Sequence, residues 1–397
     1  MIAHAQEWFE LLARWFHVIV GAAWIGTSFY FNWLNNNLRP PDPDEGLDGG
    51  IGGQLWAVHG GGFYRVLKYR EAPGELPETL HWFKWEAYLT WVSGVTLLCL
   101  VYYLGSDGMM MDPAKPALGK AGLVGVGVGT LVGGWIGYDQ LCKSPLKERP
   151  LLLQALGFLA IVGMAYGLCQ VMSSRAAYIH VGAMLGTCMA ANVFFVIIPG
   201  QRDMVDAMTR GEQPDASRGK AGALRSLHNN YFTLPVLFIM VSSHYPMTYT
   251  HEWNWALLVG FTVAGAAVRH WFNLRGQGHR NAWLLPIAAL VMVALAFVTR
   301  PPAAVDVKET VSFVEDIKPI IESRCVTCHA DKPSFAGYFV PPGGVVLETP
   351  AQIKGLSDKI LKHVVLSDYM PLGNLTKMTP EERALVGQWV RDGASLK

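Results

Sequence analysis

Two cysteines and a histidine near the C-terminus carry the densest chemical signal in the chain, Cys325-Val326-Thr327-Cys328-His329. This Cys-x-x-Cys-His spacing is the pattern of covalent c-type haem attachment. Both thiols reach the vinyl groups of one porphyrin as thioethers, and the adjacent imidazole of His329 then falls on the iron. A zinc site would want a second Cys/His pair at comparable spacing, and no cysteine follows Cys328. A thiol redox pair would want a βαβ setting, whereas the flanking apolar residues recur at helical spacing. Iron bound by His329 needs a sixth ligand. Met370, in a Met-Pro pair 41 residues further on, is the expected one. A thioether there raises the reduction potential relative to two imidazoles, which suits an electron acceptor. Of its competitors, Met378 sits close to a helix start and His363 on an expected helix.

A second set of chemical residues is dispersed through apolar sequence, where ionisable groups default to functional roles. At ~1.5 Å of rise per residue, His17 and His180 fall at similar depth in the outer half of a bilayer. His228 and His270 fall in the inner half, with His81 at its edge. Such depth-matched imidazoles could ligate one or two b-type haems, His17 with His180 in the first instance. Alternatively each ring hydrogen-bonds to a neighbour and binds nothing. Glu86, His228 and Asn229 are the candidate catalytic residues. With Lys84, Asp139, Asn230, Trp82, Trp85 and Tyr231 nearby, they suit a planar, hydrogen-bonding substrate or an interfacial aromatic belt.

The elements that must position these groups follow from composition. Of 397 residues, 51% are apolar and only 16% charged, against ~25% charged in soluble domains. The charges are uneven: 40 fall in residues 1–300 and 23 in the last 97. The first part reads as lipid-embedded and the second as a water-soluble domain. A net charge of +1 supplies no basic field, so nucleic acid is not an expected partner. Eight stretches approach the ~20 apolar residues that a span needs, at 8–34, 82–104, 119–142, 150–172, 175–198, 222–245, 253–272 and 281–300. The first lacks a basic n-region and a small-residue cleavage site, so it reads as a span and not as a signal peptide. Trp15-Phe16-His17 with Phe31-Asn32, and Tyr178-Ile179-His180 with Asn192-Val193-Phe194-Phe195, share a layout that a 4+4 repeat would produce. Gly125, Gly129, Gly133 and Gly137 form a small-residue stripe for close helix packing. The four cysteines at 99, 142, 169 and 188 read as apolar filler.

Basic residues set the direction. Loops following odd-numbered spans hold 14 Lys/Arg (Arg39, Lys147, Arg210, Arg225 and Arg280 among them), and the alternate loops hold Lys115, Lys120 and Arg175. The former are therefore expected to be cytoplasmic, and both termini periplasmic. Haem c is attached outside the cytoplasmic membrane, which independently demands a periplasmic tail. In that tail Phe313, Ile317, Ile320 and Ile321 recur at helical spacing, and Thr379-Pro380-Glu381-Glu382 starts a helix bearing Leu385, Val386, Trp389 and Val390. The expected fold is all-α: an eight-span transmembrane bundle (1–300), a linker (301–311), and a class I cytochrome c domain (312–397).

Two segments narrow the reading further, Arg14-Trp15-Phe16-His17-Val18-Ile19-Val20-Gly21-Ala22-Ala23-Trp24-Ile25-Gly26 and His228-Asn229-Asn230-Tyr231-Phe232-Thr233-Leu234-Pro235. Together with the haem tail, they resemble the bacterial membrane-bound urate hydroxylases over the whole chain. The resemblance implies oxidation of urate to 5-hydroxyisourate in the inner membrane, with water as oxygen source and cytochrome c taking the electrons. Those electrons would pass on to a cytochrome c oxidase or a soluble cytochrome. The rival expectation from the residues alone is a respiratory conduit subunit, passing electrons from quinol or a partner to haem c.

Overall fold

The computed structural model describes the chain except at residues 1, 43–46, 48, 49, 71, 72, 74, 117, 302–305, 336, 337 and 339. A long helix α1 (Ile2–Asn37) opens it, followed by strands β1 (Ile51–His59) and β2 (Gly62–Tyr69). Next come α2 (Trp85–Leu98, continued by a wider turn through Tyr103), α3 (Gly119–Lys143) and α4 (Pro150–Val171). Then α5 (Ser174–Asn192) runs on through Val193–Ile197 into α6 (Ile198–Thr209), ahead of α7 (Ala216–Ser242), α8 (Asn254–Gly276) and α9 (Leu284–Val298).

All eight apolar stretches fall on helices, and among the described residues six helical segments are long and apolar enough to cross a membrane: Glu7–Asn37, Trp85–Tyr103, Gly119–Lys143, Pro150–Val171, Ser174–Thr209 and Asn254–Gly276. The other two fall short for different reasons. The apolar helix α9 has only 15 residues, and α7 is long but carries Arg218, Lys220, Arg225, His228, Asn229 and Asn230. Apolar side chains such as Val18 (65% exposed), Leu151 (82%) and Leu290 (68%) stand outward on these helices. Lipid tolerates that arrangement because a helix satisfies its backbone polar groups internally.

The hairpin corrects the all-α expectation. Gly60 and Gly61 have φ of +58° and +81°, the positive pair that a tight two-residue turn requires. They close an antiparallel register running from Ile51↔Tyr69 to His59↔Gly62. A reading tuned to long apolar runs passed over this short, half-polar segment between two spans.

Helix α1 packs on α2 as α5 packs on α7, and α3 on α5 as α8 on α1, the pairings that a 4+4 repeat would give. The bundle core centres on α5, where Ala176, Ala177, Tyr178, Val181 and Leu185 are buried against Met110, Met172 and Leu258. Small residues along α5 let its neighbours approach closely, since a Cβ at Gly182 would lie 2.6 Å from Ile239.

In the tail, α10 (Lys318–Arg324) and α13 (Pro380–Arg391), with the short α11 (Pro350–Gly355) and α12 (Ser357–Ile360) between them, enclose a separate core. Phe313, Ile317, Ile320 and Ile321 pack there with Val386 and Trp389, so the amphipathic spacing reads through into packing. Thr379 and Glu382 close a capping box at the start of α13, satisfying backbone N–H groups that a helix start leaves open. The core of the expected linker, residues 302–305, lies outside the described residues, while Val307 and Lys308 already hydrogen-bond to Gln388. The tail rests on one end of the bundle, through Arg175 Nη1 donating to Tyr369 Oη (2.7 Å) and Thr250 Oγ1 donating to the Ser367 carbonyl (2.7 Å). This is the tail end. The other is the hairpin end.

Candidate functional site

The Cys-x-x-Cys-His segment follows α10 directly and curls back on it. Cys325 N donates to the Ile321 carbonyl, and His329 N to the Cys325 carbonyl (both 2.9 Å). Neither thiol is in a disulfide, and Cys325 packs against the tail core. Burial, with Cys328 adding, pushes the Cys325 thiol up to about 12, so it is held neutral. His329 Nδ1 lies 3.0 Å from the Val345 carbonyl. A carbonyl only accepts, so Nδ1 carries the proton and Nε2 presents its lone pair, the arrangement in which a histidine binds metal. Two free thiols and an oriented imidazole fit a c-type haem. Met370 is half-buried against the same core, and its carbonyl receives Arg383 Nη1 at 2.5 Å. Met378 is 3% exposed, and its backbone is pinned at both N and O by Asn374.

His17 and His180 are not brought together. His17 Nδ1 bonds to Ser93 Oγ (2.9 Å). His180, fully buried, bonds through Nδ1 to the Ala176 carbonyl (2.8 Å) and through Nε2 to Tyr103 Oη (3.2 Å). Ser93 and Tyr103 lie ten residues apart along the continuous α2 segment, or ~15 Å by helical rise. Both His180 nitrogens are engaged, and a Cβ at Gly127 would meet Nε2 at 2.5 Å, so the ring is packed tightly against α3. The pair does not suit one b-type haem. Equal distance from a helix start, the basis of the expectation, ignored which way each ring faces. The second set likewise takes different partners. His228 bonds to Tyr138 on α3 (2.9 Å), His270 to Tyr231 (2.6 Å), and His81 stacks edge-on against Phe83.

The richest polar interior lies toward the hairpin end. Arg225, 3% exposed, donates to Asp139 Oδ1 (2.7 Å) and to Asn192 Oδ1 (3.3 Å). Asn192, fully buried, donates to Tyr138 Oη (3.0 Å) and Asn229 Oδ1 (2.8 Å). Because Tyr138 Oη accepts from Asn192, its proton is available to His228 Nδ1, which leaves Nε2–H on the far side of the ring. Asn229 Nδ2 in turn donates to the Met189 carbonyl (3.0 Å). Two of the three expected catalytic residues, His228 and Asn229, therefore share one network drawn from α3, α5 and α7. Glu86 does not join it among the described residues. It stands in the first turn of α2, where its backbone carbonyl accepts from Thr90.

On another face of α7, Asn230 (1% exposed) meets Arg269 (9%) and Asn273 (6%) from α8. Arg269 Nε and Asn273 Nδ2 both donate to Asn230 Oδ1, at 2.7 and 3.0 Å, and the guanidinium lies 4.2 Å from the Phe29 ring centroid. Sequence reasoning missed Arg269, Asn273, Tyr138 and the role of Asn192. It also placed Arg225 among loop cations, whereas Arg225 is inside a helix and buried; the loop asymmetry keeps its sign without it. The available signal was a charge or amide inside an apolar run, which Arg269 and Asn192 both display.

Comparison with protein families matches residues 3–300 to the family described as urate oxidase N-terminal. The match ends where the charge density of the chain rises. No curated protein and no solved structure matches.

Proposed function

Since the chain belongs to the urate oxidase N-terminal family, we propose that it is a membrane-bound urate hydroxylase whose electrons leave through a haem c in its own tail. The reaction would be urate and water giving 5-hydroxyisourate, two electrons and two protons. Urate is planar and electron-rich, and once oxidised it is open to addition of water at C5. What the protein must supply is an anion-binding pocket, a proton acceptor and a one-electron acceptor used twice. Cys325 and Cys328 would hold the haem by thioethers, and His329 and Met370 would be the protein groups that bind its iron. When bound, it supplies the one-electron acceptor. His228, with its ring set by Tyr138, is the polar group offered to a substrate at the hairpin end, and Asn229, its amide committed to Asn192 and to the Met189 carbonyl, holds the network beside it.

The same reading makes α7 and α9 the sixth and eighth spans of an inner-membrane protein, with α7's polar face turned inward. It places the cytochrome tail (312–397) in the periplasm beyond a linker at 301–311, where a cytochrome c oxidase or a soluble cytochrome would collect electrons. One observation carries it: a chain matching this family carries a Cys-x-x-Cys-His tail with free thiols and an oriented imidazole, seated directly on the bundle. The test is anaerobic addition of urate to the purified protein while the haem c α-band is followed. Reduction at two electrons per urate, with no hydrogen peroxide, is the expected outcome. A haem that stays oxidised while urate is consumed in air with stoichiometric peroxide would overturn the reading.

A further inference from the structure

We infer that Asn230, Arg269 and Asn273 form an anion site toward the hairpin end of the bundle that binds the urate monoanion. The inference rests on the proposed function for the identity of the ligand and on the following geometry for the site. Among the described residues, two arginines of the bundle are buried, Arg225 and Arg269. Arg225 is neutralised by Asp139 at 2.7 Å. Arg269 has no carboxylate partner among the described residues, although a lone buried charge is among the most expensive groups a protein can hold. Its Nε is committed to Asn230, while its two terminal NH2 groups donate to no described residue. The Phe29 ring lies against the guanidinium, a contact that helps hold the fork in place.

Asn230 supplies a second, independent indication. Its Oδ1 accepts from both Arg269 Nε and Asn273 Nδ2, which fixes the amide's orientation. The Nδ2 group is thereby turned away from both, and it is buried with no hydrogen-bond partner. An orphaned buried donor costs free energy comparable to a lost hydrogen bond, so a native protein seldom keeps one without a use. An unpaired cation and an orphaned N–H donor, held on one amide, present positive charge and donors with no counterpart. The complement is a planar anion rich in carbonyl oxygens. Urate, with three carbonyl groups and one negative charge near neutral pH, has that character.

The test uses the full-length, haem-loaded protein in lipid nanodiscs, reduced with dithionite under argon so that bound radiolabelled urate is not turned over. Arg269→Met should weaken urate binding at least tenfold, the loss expected for a charge-assisted contact. It should also leave the melting temperature without urate unchanged or raised, because it removes an uncompensated buried charge. Asn230→Asp provides its own counter-ion to Arg269 and should likewise abolish binding while keeping or raising the melting temperature. Wild-type affinity in both variants would overturn the site and leave the urate reading standing. A lower urate-free melting temperature in both would make Arg269 a structural residue and also overturn it. Wild-type protein that neither binds urate nor passes electrons from it would overturn the site and the reading together.

Discussion

The bundle and the tail handle their polar groups in opposite ways. In the network around Arg225, nearly every side chain is partnered by a side chain from another helix: Asp139 of α3 with Arg225 of α7, and Asn192 of α5 with Tyr138 and Asn229. In the tail, the groups that would hold haem are two thiols outside any disulfide and an imidazole nitrogen with its lone pair free, and only the orientation of the imidazole is fixed. Closure of the first kind stabilises a fold; openness of the second kind awaits a ligand. By that criterion the Asn230–Arg269 cluster sides with the tail, although it lies in the bundle.

The largest effect should come from breaking closure. Asp139→Asn leaves Arg225 buried without a counter-ion, since Asn192 offers only an amide oxygen. Removing one partner of a buried pair costs about 3–5 kcal/mol. Thermal or denaturant melts of the variant in detergent should show this drop, and wild-type stability would mean that Arg225 is not held by charge. Asn192→Ala is expected to be somewhat milder. Arg225 keeps Asp139 and Tyr138 keeps His228, so of the three groups that lose a hydrogen bond only Asn229 Oδ1 is left unsatisfied, at ~1–3 kcal/mol. His228 should lose its set orientation with Tyr138, so urate turnover should fall more than urate binding if His228 serves the chemistry. Equal losses in both would confine Asn192 to the scaffold.

Openness is tested by exchanging ligands. Met370→His should lower the haem c midpoint potential in a redox titration, because two imidazoles favour the ferric state relative to His/Met. An unchanged potential would shift the sixth ligand to Met378 or His363. The fold should scarcely register this change, in contrast to Asp139→Asn.

The same contrast explains what the sequence could reveal. The haem motif is contiguous: five residues state the chemistry, and their helical flanks state the local fold. The apolar stretches likewise announced helices, and the capping sequence at Thr379 announced the start of α13. The Arg225 network is assembled from residues 86 positions apart, each ordinary in its own window, and only packing brings them together. His17 and His180 show the complementary error. Their depth was legible, but depth fixes one coordinate of three, and rotation about the helix axis put their rings on different neighbours. Arg269 is visible as a charge in an apolar run, but no partner stands near it in sequence. The missing partner was the informative feature.

The smallest expected effect concerns acid and the tail. Burial, with Lys362 and Lys359 adding, holds the His363 imidazole below its ordinary value, and its Nδ1 is buried without a partner. The folded state therefore favours the neutral ring. In the unfolded chain the ring titrates at about 6.5, so the unfolded state binds more protons just below that pH. Stability from this group is thus fully present above about pH 6.5 and lost as pH falls through the window down to the folded value. Melts of the holoprotein followed by haem absorbance should show a lower transition at pH 5 than at pH 7.5. His363→Gln should reduce that difference, while carboxylates titrating in their ordinary range would contribute equally to both proteins. The comparison between the two proteins isolates the ring, because His329, once its Nε2 is on iron, has no site left to protonate. An undiminished pH dependence in His363→Gln would place the acid-sensitive group elsewhere in the tail, and would free His363 to be considered as an iron ligand in its own right.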